Sequence, residues 1–263
     1  MSSPRLHREY REYRNVQTPP GFGSNNPPEW GGLVPIADWD PVNAVLSGSD
    51  VNSITDSSGN GNTLTGTGNT TFRPQYNATD SDYAGNPSIS IAADNNGRRF
   101  TFNALTGLSA SDGPLCFVAV CKSVNIASNT NRYIFSTNSG DVGVYHQEVN
   151  TRWIGFISDA GGTMCFGSGS KNPATPMVVL HKSGGINQNQ GLYLNSSTAE
   201  QTATSGATTI TYGSGAVGSH APSGANNAFI LNGSIARVMV FAADPNATQL
   251  GNIITALRAK YGV

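Results

Sequence analysis

The sequence predicts an all-β protein built as a two-sheet antiparallel sandwich, with a short C-terminal helix and an extended N-terminal arm. Composition is the first reason: charged residues make up 12% of the 263 residues, about half of the usual 25%. Ser, Thr, Asn and Gly replace them, and these residues suit tight turns better than helices. The second reason is that short apolar runs alternate with turn clusters along most of the chain. The third is that helical periodicity is confined to the C-terminal end.

The first 35 residues differ from the rest and are predicted to form an extended arm and linker. Arginines recur at every third position near the start, with tyrosines and glutamates between them, and residues 18–35 are rich in proline and glycine. Such a stretch forms neither a helix nor a central strand. It is either a disordered tail or an arm that becomes ordered on a partner, with arginine and tyrosine as anchors. The predicted anchoring residues are Arg5, Arg8, Tyr10, Arg11, Tyr13 and Arg14.

Residues 36–263 are predicted to form one domain of strands joined by turns. Runs rich in β-branched and aromatic residues are separated by clusters such as DSSGNGN and SGGINQNQG, which are typical of strand connections. Strands this short bury their apolar faces only in a two-sheet sandwich or a barrel. The predicted strands are Ser88–Ala92, Arg99–Phe102, Leu115–Lys122, Tyr133–Ser136, Val142–Glu148, Arg152–Ser158, Met164–Gly167, Met177–Lys182, Gly191–Asn195, Ala228–Leu231 and Ser234–Phe241.

The single predicted helix lies in the closing segment DPNATQLGNIITALRAKYGV. Asp244 followed by Pro245 is typical of an N-cap and a first turn. An apolar face with helical spacing follows, and Gly262 suits a C-terminal stop. The residues of that face are Leu250, Ile253, Ile254, Leu257 and Tyr261.

Charge and cysteine content narrow the function classes. A net charge of −1 argues against a globally basic nucleic-acid binder, and no apolar run is long enough to span a membrane. The charged start of the chain does not resemble a secretory signal. Three cysteines are too few for a disulfide framework, and the odd spacing of Cys116 and Cys121 directs them to opposite faces of a strand. These features predict buried free thiols in a protein made in a reducing cytoplasm.

Three stretches, taken in order, carry a family resemblance. Residues 36–66 hold a tryptophan-bearing strand and the turn DSSGNGN, residues 73–102 a proline-containing link into a strand, and residues 229–262 closing strands and a helix ending in LRAKYG. Together they resemble the concanavalin A-like lectin/glucanase superfamily, in particular the laminin G-like domains of phage and bacterial surface proteins. The resemblance implies a jelly-roll of two antiparallel sheets, one convex and one concave. It does not imply one activity, because this fold hosts lectins, glucanases, adhesion modules and structural parts.

The pattern of carboxylates predicts a non-enzymatic protein. Catalytic members of the superfamily carry carboxylates at every second position of one strand, which puts an acid and a nucleophile on one face. No predicted strand here has two carboxylates at that spacing. The pairs Asp38/Asp40 and Asp80/Asp82 fit capping and turn roles instead. The sequence also lacks a nucleophile elbow before a helix and a histidine pair with metal-ligand spacing.

A sugar site is predicted on the strand pair Val142–Glu148 and Arg152–Ser158. Sugar rings have an apolar face and a hydroxyl rim, so an aromatic platform beside amide groups suits them. The candidate ligand-binding residues are Tyr145, Gln147 and Trp153, with His146, Glu148 and Arg152 assigned to the other face. The alternative is that Tyr145 and Trp153 are core aromatics facing the second sheet.

No cofactor is expected, with calcium as the alternative. Some laminin G-like domains bind calcium at the rim of the sandwich. In the turn DSSGNGN, the oxygens of Asp56, Asn60 and Asn62 could serve as its ligands. The alternative is a turn in which Asp56 hydrogen-bonds its own backbone.

Together these features predict a bacteriophage virion surface protein, synthesised in the host cytoplasm, such as a capsid decoration, head fibre or tail fibre. The arm would bind other virion proteins of the capsid or tail by pairing its arginines with acidic groups. The sandwich, as a homo-oligomer in the particle, would present a face to host-surface glycans. No nucleic acid and no membrane partner is expected. Two alternatives are a free-standing carbohydrate-binding module and a purely structural cement protein without a ligand.

Overall fold

The computed structural model describes residues 30–67, 73–92, 98–109, 111–124, 130–137, 142–157, 164–167, 171–204, 209–220 and 229–263. The predicted anchors Arg5, Arg8, Tyr10, Arg11, Tyr13 and Arg14 lie outside the described residues. The strands are β1 Ala37–Trp39, β2 Ala44–Ser47, β3 Asp50–Ile54, β4 Leu64–Thr67, β5 Gln75–Asn77, β6 Ser88–Ile91, β7 Arg99–Phe102, β8 Leu115–Ser123, β9 Asn131–Thr137, β10 Val142–Gln147, β11 Arg152–Ile157, β12 Met164–Phe166, β13 Met177–Ser183, β14 Asn189–Leu194, β15 Gln201–Thr204, β16 Gly215–Val217 and β17 Gly233–Phe241. The helix α1 spans Ala247–Tyr261.

The strands form two antiparallel layers. In the first sheet the order is β5-β6-β17-β8-β13-β14-β15, with β1 beside the C-terminal half of β17. In the second sheet the order is β2-β3-β4-β7-β16-β9-β10-β11-β12. A single pairing of β5 with β3, at Asp50 and Gln75, links the two layers. The predicted all-β, two-sheet antiparallel sandwich is confirmed.

The core lies between the two sheets, and β8 shows how the sequence fills it. Phe117 and Ala119 point into the core between the sheets, whereas Val118 and Val120 point outward to a second apolar cluster under α1. Both faces of this strand are therefore buried, which explains its unbroken apolar run. The three cysteines are free and buried, and Cys116 and Cys121 belong to opposite faces of β8, as predicted.

The helix α1 covers part of the outer face of the first sheet. Its predicted apolar face is buried there, and Gly262 ends it in the left-handed conformation at φ 68°. The predicted N-cap is wrong: Asn246 caps the helix in a reciprocal box with Gln249. Asp244 instead pairs with Lys182 at 2.7 Å. Because Asn246 is extended and its side chain accepts from the third helical N–H, the helix begins after it.

A buried ion-pair network joins the start of the described chain to its end. Arg237 on β17 donates through Nε and Nη2 to the two carboxylate oxygens of Asp38, at 2.9 and 2.7 Å. Lys260 of α1 donates to Asp40 at 2.9 Å. Asp40 also caps the turn that follows β1, as predicted, by accepting from the N–H of Val42. Asp38 therefore has an ion-pairing role that the sequence did not suggest.

The packed domain begins before the predicted boundary at residues 35 and 36. Trp30 is only 2% exposed and lies edge-on to Phe241, with ring centroids 6.0 Å apart. The guanidinium of Arg237 lies 5.4 Å from the centre of the Trp30 ring. The end of the proline-rich stretch is therefore part of the fold, because an aromatic ring anchors it to the outer face of the first sheet.

Ten of the eleven predicted strands are present, with ends shifted by two residues at most. The exception is Ala228–Leu231. Ala228 lies outside the described residues, and Ile230 forms only an isolated bridge with Tyr133. In the residues that the structure describes, no helix is both long and apolar enough to cross a membrane.

Candidate functional site

An aromatic cluster covers the outer face of the second sheet, on β9 to β12, and is called the aromatic face here. Alternation along the strands creates it, because Val144 and Trp153 point into the core while their neighbours Tyr145 and Ile154 point outward. The members of the aromatic face are Tyr133, Tyr145, Ile154, Phe156, Phe166 and Phe229. It is separate from the core between the sheets and from the cluster under α1.

The rings of the aromatic face contact one another closely. Tyr133 and Tyr145 stack with centroids 4.8 Å apart and an interplanar angle of 28°. His220 lies 4.6 Å from Tyr133 and 5.4 Å from Phe229, in tilted or edge-on contacts. A side chain at position 143 would lie 2.5 Å from the Phe156 ring, so only glycine allows this approach. The cluster is therefore packed in a fixed arrangement. Tyr133, Tyr145 and Phe156 are buried within it, and Phe166 and Phe229 form its partly exposed edge.

A polar row borders the aromatic platform. The guanidinium of Arg152 lies 4.2 Å from the centre of the Phe166 ring. Its Nε donates to Oε1 of Gln147 at 3.1 Å, and Nδ2 of Asn150 donates to the same oxygen at 2.6 Å. Among the described residues, the two terminal nitrogens of Arg152 have no hydrogen-bond partner and reach solvent. Arg152 is thus held in place at one nitrogen and free to donate at two.

Burial and charge set the protonation of this face. Burial raises the pKa of Tyr145, and the nearby Arg152 partly opposes that shift. Burial lowers the pKa of His220, which favours the neutral ring. In the described parts of β9 to β12, Arg152 is the one charged side chain on this face. The aromatic face therefore combines neutral rings with a single positive charge at its edge.

The pairing register corrects the predicted grouping of site residues. Tyr145 and Gln147 lie on the aromatic face, but Trp153 is fully buried in the core between the sheets. The residues that pair across the hairpin are Tyr145 with Ile154, His146 with Trp153, and Gln147 with Arg152. Odd positions on β10 thus face even positions on β11, because the connection holds an even number of residues. Arg152, which had been assigned to the other face, is the true neighbour of Gln147.

The inner face of the same hairpin holds a buried polar cluster. Glu148 accepts from Nε of Arg132 at 2.9 Å, and each side chain is 3% exposed. His146 Nδ1 lies 2.9 Å from Oγ of Ser123, and burial lowers its pKa to about 4. Nε2 of His146 and Nε1 of Trp153 have no hydrogen-bond partner among the described residues. These groups are closed off from solvent, and the contact of His146 with Ser123 joins the hairpin to β8 of the opposite sheet.

Hydrogen bonds within the protein hold the turn DSSGNGN, whose oxygens were considered as possible calcium ligands. Oδ1 of Asp56 accepts from the N–H groups of Asp38 and Ser58, each at 2.9 Å, and Oδ2 accepts from the N–H of Asn62 at 2.9 Å. Asn62 in turn exchanges hydrogen bonds with the backbone of Thr106. Nδ2 of Asn60 donates to the carbonyl of Ile36 at 3.1 Å. These contacts fit the self-bonded turn and tie it to β1.

Sequence reasoning missed Arg152, Phe166, His220 and Phe229 as members of the site. The position of Arg152 beside Gln147 follows from the pairing register, in which four residues separate the two partners. The other three come from separate parts of the chain, and only the sheet order brings them together.

No family model matches the chain, and no curated protein sequence matches it either. The concanavalin A-like, laminin G-like resemblance therefore stays a prediction.

Several solved structures have a similar fold. The ligand-binding domain of botulinum neurotoxin serotype D, in complex with N-acetylneuraminic acid, has a TM-score of 0.58 and 10% identity, covering 87% of this chain and 52% of its own. The binding domain of botulinum neurotoxin serotype G has a TM-score of 0.58 and 13% identity, covering 84% and 51%. A GH54 α-L-arabinofuranosidase soaked with a cyclic sulfate inhibitor has a TM-score of 0.58 and 14% identity, covering 89% and 64%. This chain spans about half the length of the neurotoxin domains, and the likeness is one of fold.

Proposed function

We propose that this chain is a non-catalytic glycan-binding module whose ligand sits at the edge of the aromatic face, where Arg152 and Phe166 are partly exposed. The observation that supports this most is Arg152, which lies over Phe166 and is fixed by Gln147 with two nitrogens left to donate. The partly exposed ring of Phe166 takes the apolar face of a sugar ring, and the polar row bonds its hydroxyls. This is the combination of a mostly apolar platform and a few placed polar groups that small-ligand sites use.

The charge of Arg152 favours an acidic sugar. A guanidinium binds a carboxylate through two parallel N–H···O bonds, which are stronger than bonds between neutral groups. N-acetylneuraminic acid is the first test ligand for two reasons. It carries such a carboxylate, and it is the ligand in the complex of the similar neurotoxin domain.

The non-catalytic part of the proposal rests on how the carboxylates are used. Asp38 and Asp40 pair with Arg237 and Lys260, and Glu148 pairs with Arg132. None of these three carboxylates faces the aromatic platform. A glycosidase needs two carboxyl groups on either side of the bond it cleaves. Release of nitrophenol from aryl glycosides, arabinofuranosides included, would contradict this part.

The finer proposal is that the module is displayed on a bacteriophage particle, as a capsid decoration or fibre held by its N-terminal arm. The spacing of Arg5, Arg8, Arg11 and Arg14 supports an arm that pairs with acidic groups of a shell. Buried free thiols are consistent with assembly in a reducing cytoplasm. A free-standing carbohydrate-binding module and a cement protein without a ligand are the two competing functions.

A glycan array with the full chain tests the binding proposal. The wild type should bind glycans that end in an acidic sugar. Arg152→Gln should lose most of that binding, and Phe166→Ala should weaken it. Arg258→Gln is the matched control, because Arg258 is exposed on α1 at the other layer. Equal binding by the wild type and Arg152→Gln would refute the assigned site, and no binding to any glycan would favour the cement protein.

Co-sedimentation with assembling particles tests the display proposal. A full-length variant with glutamine at positions 5, 8, 11 and 14 should stay in the supernatant while the wild type sediments. The matched control replaces Glu9 and Glu12 with glutamine and should still sediment. If the wild type does not sediment with particles, the free-standing module becomes the better account.

A further inference from the structure

A second, polar cleft lies on the opposite layer from the aromatic face. It has a volume of about 430 Å³ and opens on the outer face of the first sheet, where β6, β17 and β8 run side by side. The lining side chains that matter below are Asn77, Asp82, Ser90, Lys122, Asn232 and Ser234. This volume falls within the range of about 300 to 1,000 Å³ that small-ligand sites have.

The cleft begins where the helix stops covering the sheet. Ser234 pairs with Ser90 on one side and with Lys122 on the other, so these three side chains form a row across the outer face. Under α1 the same outer face is apolar, with Val118 and Met239 buried there. The sequence therefore changes from apolar to polar residues within single strands, at the edge of the helix.

Hydrogen bonds fix the rim of the cleft. Asp80 accepts from Oγ of Ser88 at 2.5 Å and from the N–H of Asp82 at 3.0 Å. The hydroxyl of Tyr83 lies 2.9 Å from Oγ of Ser234. The loop that carries Asp80 is also tied to the helix end, since Asn86 donates to the carbonyl of Lys260 at 2.8 Å. The rim is thus preorganised before any ligand arrives.

Several polar groups in the cleft are left for a ligand. Ser90 is exposed, and its hydroxyl has no partner among the described residues. Oδ1 of Asn77 accepts a hydrogen bond from the N–H of Thr79 at 3.3 Å, which leaves the side-chain N–H₂ of Asn77 to donate. Asn232 donates to the carbonyl of Val124 at 3.2 Å, which leaves its side-chain oxygen to accept. Lys122 and Asp82 pair with each other on the same wall.

We infer that this cleft is a second sugar-binding site and that it takes a neutral sugar residue. A ring of hydroxyl, amide donor and amide acceptor groups matches the mixed donor and acceptor character of sugar hydroxyls. Two carboxylates, of Asp80 and Asp82, face one ammonium, of Lys122. The resulting excess of negative charge disfavours sugars that carry a carboxylate or sulfate. The cleft shares no residue with the aromatic face, so the two proposed sites are tested independently.

The test is a titration of the ¹⁵N-labelled full chain, followed by NMR, with methyl glycosides of glucose, galactose and mannose as probes. We expect at least one probe to shift the resonances of Ser90, Lys122 and Asn232 with millimolar affinity. Glucuronic acid should leave those resonances in place. No shift in the cleft from any neutral probe at tens of millimolar would overturn the inference, as would a larger response to glucuronic acid.

Two variants show whether the shifts report the cleft. Ser90→Tyr fills it and should abolish the response, whereas Ser47→Tyr, on the exposed edge strand β2, should leave it unchanged. Asn77 is exposed, so Asn77→Ala keeps the fold, and the loss of one hydrogen bond should weaken affinity about two- to tenfold. An undiminished response in both cleft variants would overturn the assignment. Binding at the aromatic face is unaffected by either result.

Discussion

Two histidines in the interior of the sandwich are held without charge. His146 lies 2.9 Å from Ser123, and His181 lies 3.1 Å from Gln190. Burial lowers the pKa of each ring to about 4, against about 6.5 in an unfolded chain. For His146, the nearby Glu148 opposes the shift and Arg132 adds to it. Since the unfolded chain takes up these protons first, stability is complete above pH 6.5 and is lost as the pH falls towards 4.

The free energy of unfolding should therefore fall between pH 6.5 and pH 5, before most carboxylates titrate. Each buried neutral histidine contributes a slope of about 1.4 kcal/mol per pH unit in that window. Urea unfolding of the wild type and of His181→Gln at pH 7 and pH 5 measures the slope. Between pH 7 and pH 5, the free energy of unfolding of the variant should fall by about half as much as that of the wild type. If it loses as much stability as the wild type, His181 is not the titrating group.

The buried pair Arg132–Glu148 makes a second prediction at this scale. Glu148→Gln removes the negative charge beside the buried guanidinium of Arg132, and the loss of a buried ion pair costs about 3 to 5 kcal/mol. Asp244→Asn is the matched control, since Asp244 is 45% exposed in its pair with Lys182, and its loss costs at most about 1 kcal/mol. Chemical denaturation at pH 7 compares the two. Equal effects would mean that burial does not set the strength of these pairs.

Single residues of the site were only partly predictable from the sequence. Tyr145 and Gln147 follow from alternation along one strand, because the side-chain period of a strand is fixed. The orientation of Trp153 does not follow in this way, because alternation on one strand gives the facing residues of the next strand only once the pairing register is known. The same argument explains why Arg152 was assigned to the wrong face, and Phe229 is more distant still in sequence.

At the scale of elements, the N-terminal cap of α1 could not be assigned to one residue from the sequence alone. Asp244, Pro245 and Asn246 all favour a helix start, and the reciprocal bonds between Asn246 and Gln249, each 3.0 Å, decide between them. The cap matters because the helix closes the outer face of the first sheet with residues such as Leu250 and Leu257.

Asn246→Ala should lower the free energy of unfolding by about 1 kcal/mol, because it leaves N–H groups of the first turn unbonded. Thr248→Ala, at an exposed position in the same turn, should change it by less than about 0.5 kcal/mol. Thermal unfolding followed by circular dichroism compares them. If Asp244→Ala had the larger effect, the helix would begin earlier than the structure indicates.

Long apolar strands could be predicted, whereas short strands with exposed or polar residues could not all be. The nine-residue strands β8 and β17 each contain an apolar run that a buried strand explains. In contrast, β2 and β5 have exposed or polar residues and three or four positions each. Their pairing partners make them strands, and such tertiary context leaves little trace in a local sequence.

At the scale of the whole molecule, the two outer faces have different coverings. On the first sheet α1 and Trp30 cover the apolar area, and the polar cleft lies beside them. On the second sheet the aromatic face carries a cluster of rings with Arg152 at its border. Two surfaces of opposite charge on opposite layers would let one molecule hold an acidic and a neutral sugar together, which raises the strength of attachment to a glycan-coated surface.

The most direct test of the central claim is an NMR titration of the ¹⁵N-labelled full chain with N-acetylneuraminic acid, which maps where the sugar binds. We predict shifts at Gln147, Arg152 and Phe166 on the aromatic face, which Arg152→Gln abolishes and Arg258→Gln preserves. The cleft residues Ser90 and Asn232 should not respond. Shifts confined to another surface, or none at millimolar sugar, would contradict the account.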